Sequence, residues 1–162
     1  MDYATLLTSA CTLIRQTIWE ALQSDPAAQA LVPSLEDIVV ASPAGQLLPN
    51  GRLSLWLYRV TLDESIKNRP PIRRGVPRVE GTPPGSDLDL WLLITPFAQT
   101  GPDNTFLLGK VMQALADHPI IIDSSTRLKV FLAPIDMAEH LHLWEAIQMP
   151  YRLSAVYCVR TG

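Results

Sequence analysis

Three histidines, His118, His140 and His142, are the side chains best suited to metal binding or proton transfer, and their spacing suits neither. Two positions separate His140 from His142, which on a helix puts them on different faces. A helical zinc pair needs four, and no cysteine lies near them in sequence. No serine sits in the glycine pattern of a nucleophile elbow. Gly101 and Gly109 are wrongly spaced for a phosphate cradle, and Gly109-Lys110 lacks the rest of a P-loop. Asp87 and Asp89 alternate with Leu88 and Leu90, the pattern of a solvated strand entrance rather than a carboxylate pair. Cys11 and Cys158 read as small core residues. The expectation is a chain that is not an enzyme, with no catalytic residue, no cofactor and no metal.

The elements that would have to carry chemistry are instead patterned for packing. Residues 4–22 repeat Leu6, Leu7, Ala10, Leu13, Ile14, Thr17, Ile18 and Ala21 at three- and four-residue steps, predicting an amphipathic helix with these on one stripe. Ser24-Asp25-Pro26 stops it and caps a short second helix. Residues 37–42 read as a strand, and Asn50-Gly51 signals a hairpin into the next one, Arg52 to Leu62. There Leu53, Leu55 and Leu57 take one face and Trp56, Tyr58 and Val60 the other. Leu88 to Phe97 repeats the two-sided pattern and Pro96 ends it.

Residues 104–116 predict a second long helix, in which Gly109 implies a close backbone approach. Leu128 to Ala133 is a short strand. Asp136 and Glu139 resemble a capping box, and Met137, Leu141 and Trp144 then share one helical face. Beyond Pro150, Tyr151 to Arg160 is the last strand, with Leu153, Ala155, Tyr157 and Val159 on one side. Roughly five strands and three substantial helices in mixed order predict an α+β fold on a mainly antiparallel sheet. All 162 residues fit one domain. The aromatic side chains Trp56, Tyr58, Trp91, Trp144, Tyr151 and Tyr157 sit on or beside these elements, as core or as interface anchors.

Residues 61–86 differ from the rest. They hold five prolines and the basic residues Lys67, Arg69, Arg73, Arg74 and Arg78, with no apolar period. One reading is a solvated loop. The other is an arm whose arginines dock on an acidic partner through bidentate contacts to carboxylates. Nucleic acid is disfavoured, because the arm has no aromatic residue for stacking and the chain carries a net charge of −3. No apolar run approaches the roughly 20 residues of a membrane span, and the first 20 residues lack a basic leader region. Assembly in the cytosol is the expectation. Apolar residues make up 48% and charged ones 18%, so some apolar surface is expected to be covered by other subunits.

Several stretches together carry a family likeness. They are the strand Leu53 to Val60, the stretch Asp63 to Arg69, Pro83-Pro84 before Leu88 to Thr95, Leu107 to Leu115 with Pro119, and Leu143-Trp144-Glu145-Ala146 leading to Tyr151-Arg152-Leu153-Ser154. In their order and spacing, from about Leu6 to Arg160, the chain resembles the N-terminal domain of the cap, or tail-terminator, proteins of contractile injection systems, which are phage-tail-like particles. It departs from them within the arm, where Asn68 precedes Arg69. The resemblance implies a structural protein that closes into a homo-oligomeric ring, a hexamer. Such a ring would bind the end of the inner tube and the last sheath ring and stop both from growing. It also implies that Lys67, Arg69, Arg73, Arg74 and Arg78, with Trp144, contact a partner. A baseplate or adaptor role in the same particle, or a small enzyme or ligand-binding domain with an unrecognised pocket, are the alternatives.

Overall fold

In a computed structural model that describes residues 2–45, 52–62, 88–124 and 126–162, the fold is α+β, built on one largely antiparallel sheet. The first helix, α1 (Tyr3–Gln23), starts where Asp2 accepts a hydrogen bond from the Thr5 amide at 2.7 Å. Its buried stripe, Leu6, Ala10, Ile14, Ile18 and Leu22, repeats every four residues. Asp25 then caps α2 (Pro26–Leu31), with proline in the first turn where no amide proton is needed. The third helix, α3 (Gly101–Asp117), begins three residues before the apolar pattern does. Thr100 accepts from the Asp103 amide at 3.2 Å, and Pro102 again occupies the first turn. The fourth, α4 (Met137–Ile147), is capped by Asp136 and ends at Gln148, which turns left-handed at φ 60°.

Among the described residues the strands are β1 (Ile38–Val39), β2 (Leu53–Leu62), β3 (Leu88–Pro96), β4 (Ile120–Asp123), β5 (Thr126–Leu132) and β6 (Ala155–Thr161), in the order β1-β2-β3-β6-β5-β4. One face of the sheet is covered by α1, α2 and α3. Leu53, Leu55, Leu90, Leu92, Ile94, Leu128 and Val159 meet Ile14, Ile18, Leu107 and Val111 there. The other face carries α4, where Leu93, Val156 and Cys158 meet Trp144 and Ile147.

Several expectations are corrected. β1 is two residues long, because Leu35–Asp37 forms a 3-10 turn in which Asp37 is locked by a capping box with Ser34. It runs parallel to β2, so the two are not a hairpin; Asn50 and Gly51 themselves lie outside the described residues. β2 keeps its predicted alternation only as far as Leu57. The register shifts between Leu57 and Arg59, and beyond this bulge Val60 pairs with Leu90 and falls on the helix-covered side. The strand β4 was not anticipated: Ile120-Ile121-Ile122 is a short run with no alternation to read. Residues 151–154 are not strand; Leu153 is exposed, and β6 starts at Ala155. On α4, Met137 and Leu141 are 57% and 40% exposed, leaving Trp144 and Ile147 as its buried face. Gly109 is exposed, and a methyl group added there would meet nothing within 4 Å, so no close backbone approach explains it.

Candidate functional site

The residues with chemical potential are spent on structure. Ser154 and His140 come together, His140 Nε2 lying 2.8 Å from Ser154 Oγ, in a pairing that elsewhere activates a nucleophile. Here the hydroxyl is fully committed. It accepts from Trp144 Nε1 at 3.1 Å and lies 3.2 Å from the Arg152 carbonyl, and when it donates there His140, as the tautomer with Nε2–H, is its second donor. The knot ties the segment after α4 back onto that helix, and the Tyr151 ring closes it edge-on against His140 and Trp144. Burial lowers the His140 pKa below the ordinary value of 6.5.

Some of the other candidates are occupied as well. His118 caps α3 through the Ala114 carbonyl, 2.8 Å from its Nδ1, and His142 is exposed. Lys110 bridges to Asp25, tying α3 to the cap of α2. That contact and the Ala27 amide hold the Asp25 carboxyl below its ordinary range. Cys158 is buried, Cys11 is half-buried with its thiol pKa pushed up by desolvation, and neither is in a disulfide. Among the described residues no three His, Cys, Asp or Glu side chains gather where one metal ion could bridge them. No helix of the described residues is long and apolar enough to cross a membrane.

Of the predicted interface residues, Lys67, Arg69, Arg73, Arg74 and Arg78 lie outside the described residues, as does Asp87. Trp144 is 2% exposed and fills the space between α4 and the sheet. What it can give a partner is the position of α4.

A surface that sequence reasoning missed is the half of the sheet that α4 leaves uncovered. Strand register defines it. Leu88, Leu90, Leu128, Val159 and Ile121 belong to the helix-covered core, so the alternate residues Asp89, Arg127, Lys129, Arg160, Ile120 and Ile122 face the α4 side. Asp89 is not a solvated strand entrance. It is 8% exposed and held by Arg160 through two hydrogen bonds of 2.8 and 3.0 Å. Arg160 also lies over the Phe131 ring at 5.7 Å, and Arg59 over Trp91 at 5.3 Å. Ile120 and Ile122 are exposed at 45% and 70%, each directly paired with a cation, Lys129 and Arg127 respectively. Four cations thus share this surface with one described carboxylate, in a chain whose net charge is −3. The Arg127-Leu128-Lys129-Val130 alternation was the available signal.

A second apolar surface borders α3. Gly109, Met112, Gln113, Ala116, Pro119 and Leu132 line a shallow groove between that helix and the end of β5. Its described lining is mainly apolar, and the Gln113 amide donates to Asp117.

Comparison with known proteins places this arrangement. No curated protein matches the sequence at a significant level. Among solved structures, the chain is similar to one from an extracellular contractile injection system determined by electron cryo-microscopy, the PVC sheath/tube terminator in its extended state. The likeness is one of fold: 16% identity and a TM-score of 0.50 over 83% of this chain. The match takes in 52% of that chain, so this sequence spans about half the length of the terminator it resembles. The family model described as the Pvc16 N-terminal domain matches residues 10–161, from α1 to the last residue of β6. The chain belongs to the Pvc16 N-terminal domain family.

Proposed function

We propose that this chain is a structural end-piece of a contractile injection particle, a tail terminator that halts growth of the inner tube and the sheath. The observation that carries the reading is the family match over residues 10–161, since it spans the whole folded core. Chemistry is compatible with it, because the Ser–His contact among the described residues is part of a knot that also holds Trp144 and the segment after α4. Stopping a stack needs no catalysis. It needs one surface that accepts the last layer and one that offers no seat to a further layer.

In this reading identical copies close into a six-membered ring on the tube end and touch the last sheath ring, with assembly in the cytosol. The arm bearing Lys67, Arg69, Arg73, Arg74 and Arg78 supplies a contact to acidic groups on a neighbouring subunit or the sheath. Electron micrographs of particles assembled without this protein test the reading. Over-long or ragged tubes are the expected result. Tubes of normal length would overturn it, and a complete absence of tubes would indicate a baseplate role. For the arm, Arg73→Glu with Arg74→Glu is expected to abolish capture of sheath or tube, and unchanged capture would discard that contact.

A further inference from the structure

The open half of the sheet and the outer flank of α4 have complementary chemistry. On the sheet, the hairpin of β4 and β5 offers Ile120 and Ile122 beside Lys129 and Arg127. Neither cation makes an ion pair with another described residue. On α4, Met137, Leu141 and Glu145 fall at four-residue steps and so form one exposed stripe, while Glu139 is exposed on another face of the same helix. Residues 136–147 contain three carboxylates and no Lys or Arg. One surface is therefore apolar with cations around it, and the other apolar with anions.

Their dimensions agree. Residues four apart on a helix rise about 6 Å, and residues two apart on a strand about 6.7 Å, so Met137 and Leu141 match the spacing of Ile120 and Ile122. A copy cannot satisfy both surfaces by itself. Its own α4 is pinned over β3 and β6 by Trp144 and Ile147, packed on Leu93, Val156 and Cys158.

We propose that the β4–β5 hairpin face is the seat for helix α4 of a second copy of this chain, with Met137 and Leu141 on Ile120 and Ile122 and the α4 carboxylates facing Arg127 and Lys129. The donor and acceptor surfaces differ, so the contact is heterologous, and repeated copy after copy it generates a ring or an open helix. The inference rests on the ring reading and names the surfaces that would make the ring. The competing role for these cations is to keep the face of β5, next to the short edge strand β4, solvated and without a partner. Reversing the cations separates the two roles. It weakens a docking seat and leaves a merely solvated face unchanged.

The test is sedimentation velocity on the full chain over a concentration series at low and high salt. The wild type should associate, more weakly at high salt because rim charges are screened. The Arg127→Glu/Lys129→Glu pair and the Glu139→Lys/Glu145→Lys pair should each weaken association at least about ten-fold. An equimolar mixture of the two should associate again, because every contact then joins a reversed hairpin to a reversed helix or a native hairpin to a native helix. Wild-type association alongside two unaffected variants, or stronger association on reversal, overturns the inference and leaves the ring standing. A wild type that stays single at every concentration overturns both. Circular dichroism checks folding, and Arg127→Gln/Lys129→Gln serves as the hairpin variant if the glutamate pair fails to fold. Its expected result is the same loss alone, with recovery in the mixture stopping at a pair, because only the native hairpin and native helix then have a partner.

Discussion

Asp89 and Arg160 are register partners on β3 and β6, and the guanidinium grips the carboxylate through Nε and Nη2 at 2.8 and 3.0 Å. Asp89 is nearly buried while Arg160 keeps about a third of its side-chain surface in solvent, at 34%. The pair therefore depends more on the arginine than the reverse. Asp89→Ala should destabilise the fold by about 2–3 kcal/mol, somewhat below the range for a fully buried pair because Arg160 can reach water. Asp89→Leu combined with Arg160→Met, matched in size and apolar, should come within about 1 kcal/mol of wild type. Urea unfolding of the single and double variants measures both, and a loss in the double variant equal to the sum of the two single losses would mean the pair contributes no coupling.

Much of the fold was legible because its periods are local. The stripe Leu6, Ala10, Ile14 and Ile18 on α1 and the alternation Leu88 to Thr95 on β3 each lie within one element, and both were readable, although Leu22 rather than Ala21 completes the buried stripe. What was not legible depends on residues distant in sequence. The pairing of Asp89 with Arg160 spans 71 positions. The bulge after Leu57 moves Val60 to the opposite face, and only the partner strand reveals it. The same holds for the parallel pairing of β1, which Asn50-Gly51 argued against. The open sheet face needed the order of four strands before Arg59, Arg127, Lys129 and Arg160 could be seen on one side.

Gly109 offers a clean measurement of helix propensity. It sits mid-helix in α3, exposed, with empty space where a side chain would begin. Gly109→Ala should raise stability by about 0.5–1 kcal/mol, the usual difference between the two residues in a helix interior. A rise in the urea midpoint with an unchanged slope confirms it. A fall in stability would show that the groove beside Met112 and Leu132 is narrower than its open lining.

Acid should loosen α4 first. Burial lowers the pKa of His140 in the folded chain, so the unfolded chain binds a proton more readily as pH drops. Stability from this group is complete above the ordinary histidine value of 6.5 and is lost as pH falls through that value toward the depressed folded one. Urea unfolding followed by tryptophan fluorescence should show this loss between about pH 7 and 5. His140→Asn keeps a donor near Ser154 and should flatten the dependence across that window. An identical pH profile in both proteins would assign the loss elsewhere.

Thr95 carries a buried hydroxyl with no hydrogen-bond partner among the described residues, at 0% exposure on β3. A buried polar group left unpaired costs about 1–3 kcal/mol. Thr95→Val keeps the β-branched shape and removes the group, so stability should rise by about 1 kcal/mol in thermal unfolding. A decrease would mean the hydroxyl has a partner, such as an ordered water.

Trp144 decides whether α4 is held by its own chain. Its ring is enclosed by Leu93, Ala133, Val156 and Cys158, and its Nε1 donates to Ser154 Oγ at 3.1 Å. Trp144→Ala should cost about 3–5 kcal/mol through lost burial and the cavity left behind. Trp144→Phe refills most of that space but removes the donor from Ser154, and should cost less, about 1–2 kcal/mol. Because α4 carries the exposed stripe of Met137 and Leu141, the alanine variant should also weaken self-association, through misplacement of the helix rather than loss of a contact. Urea unfolding together with sedimentation of both variants separates the two effects. Normal stability of Trp144→Ala with lost association would instead make the ring a direct interface anchor.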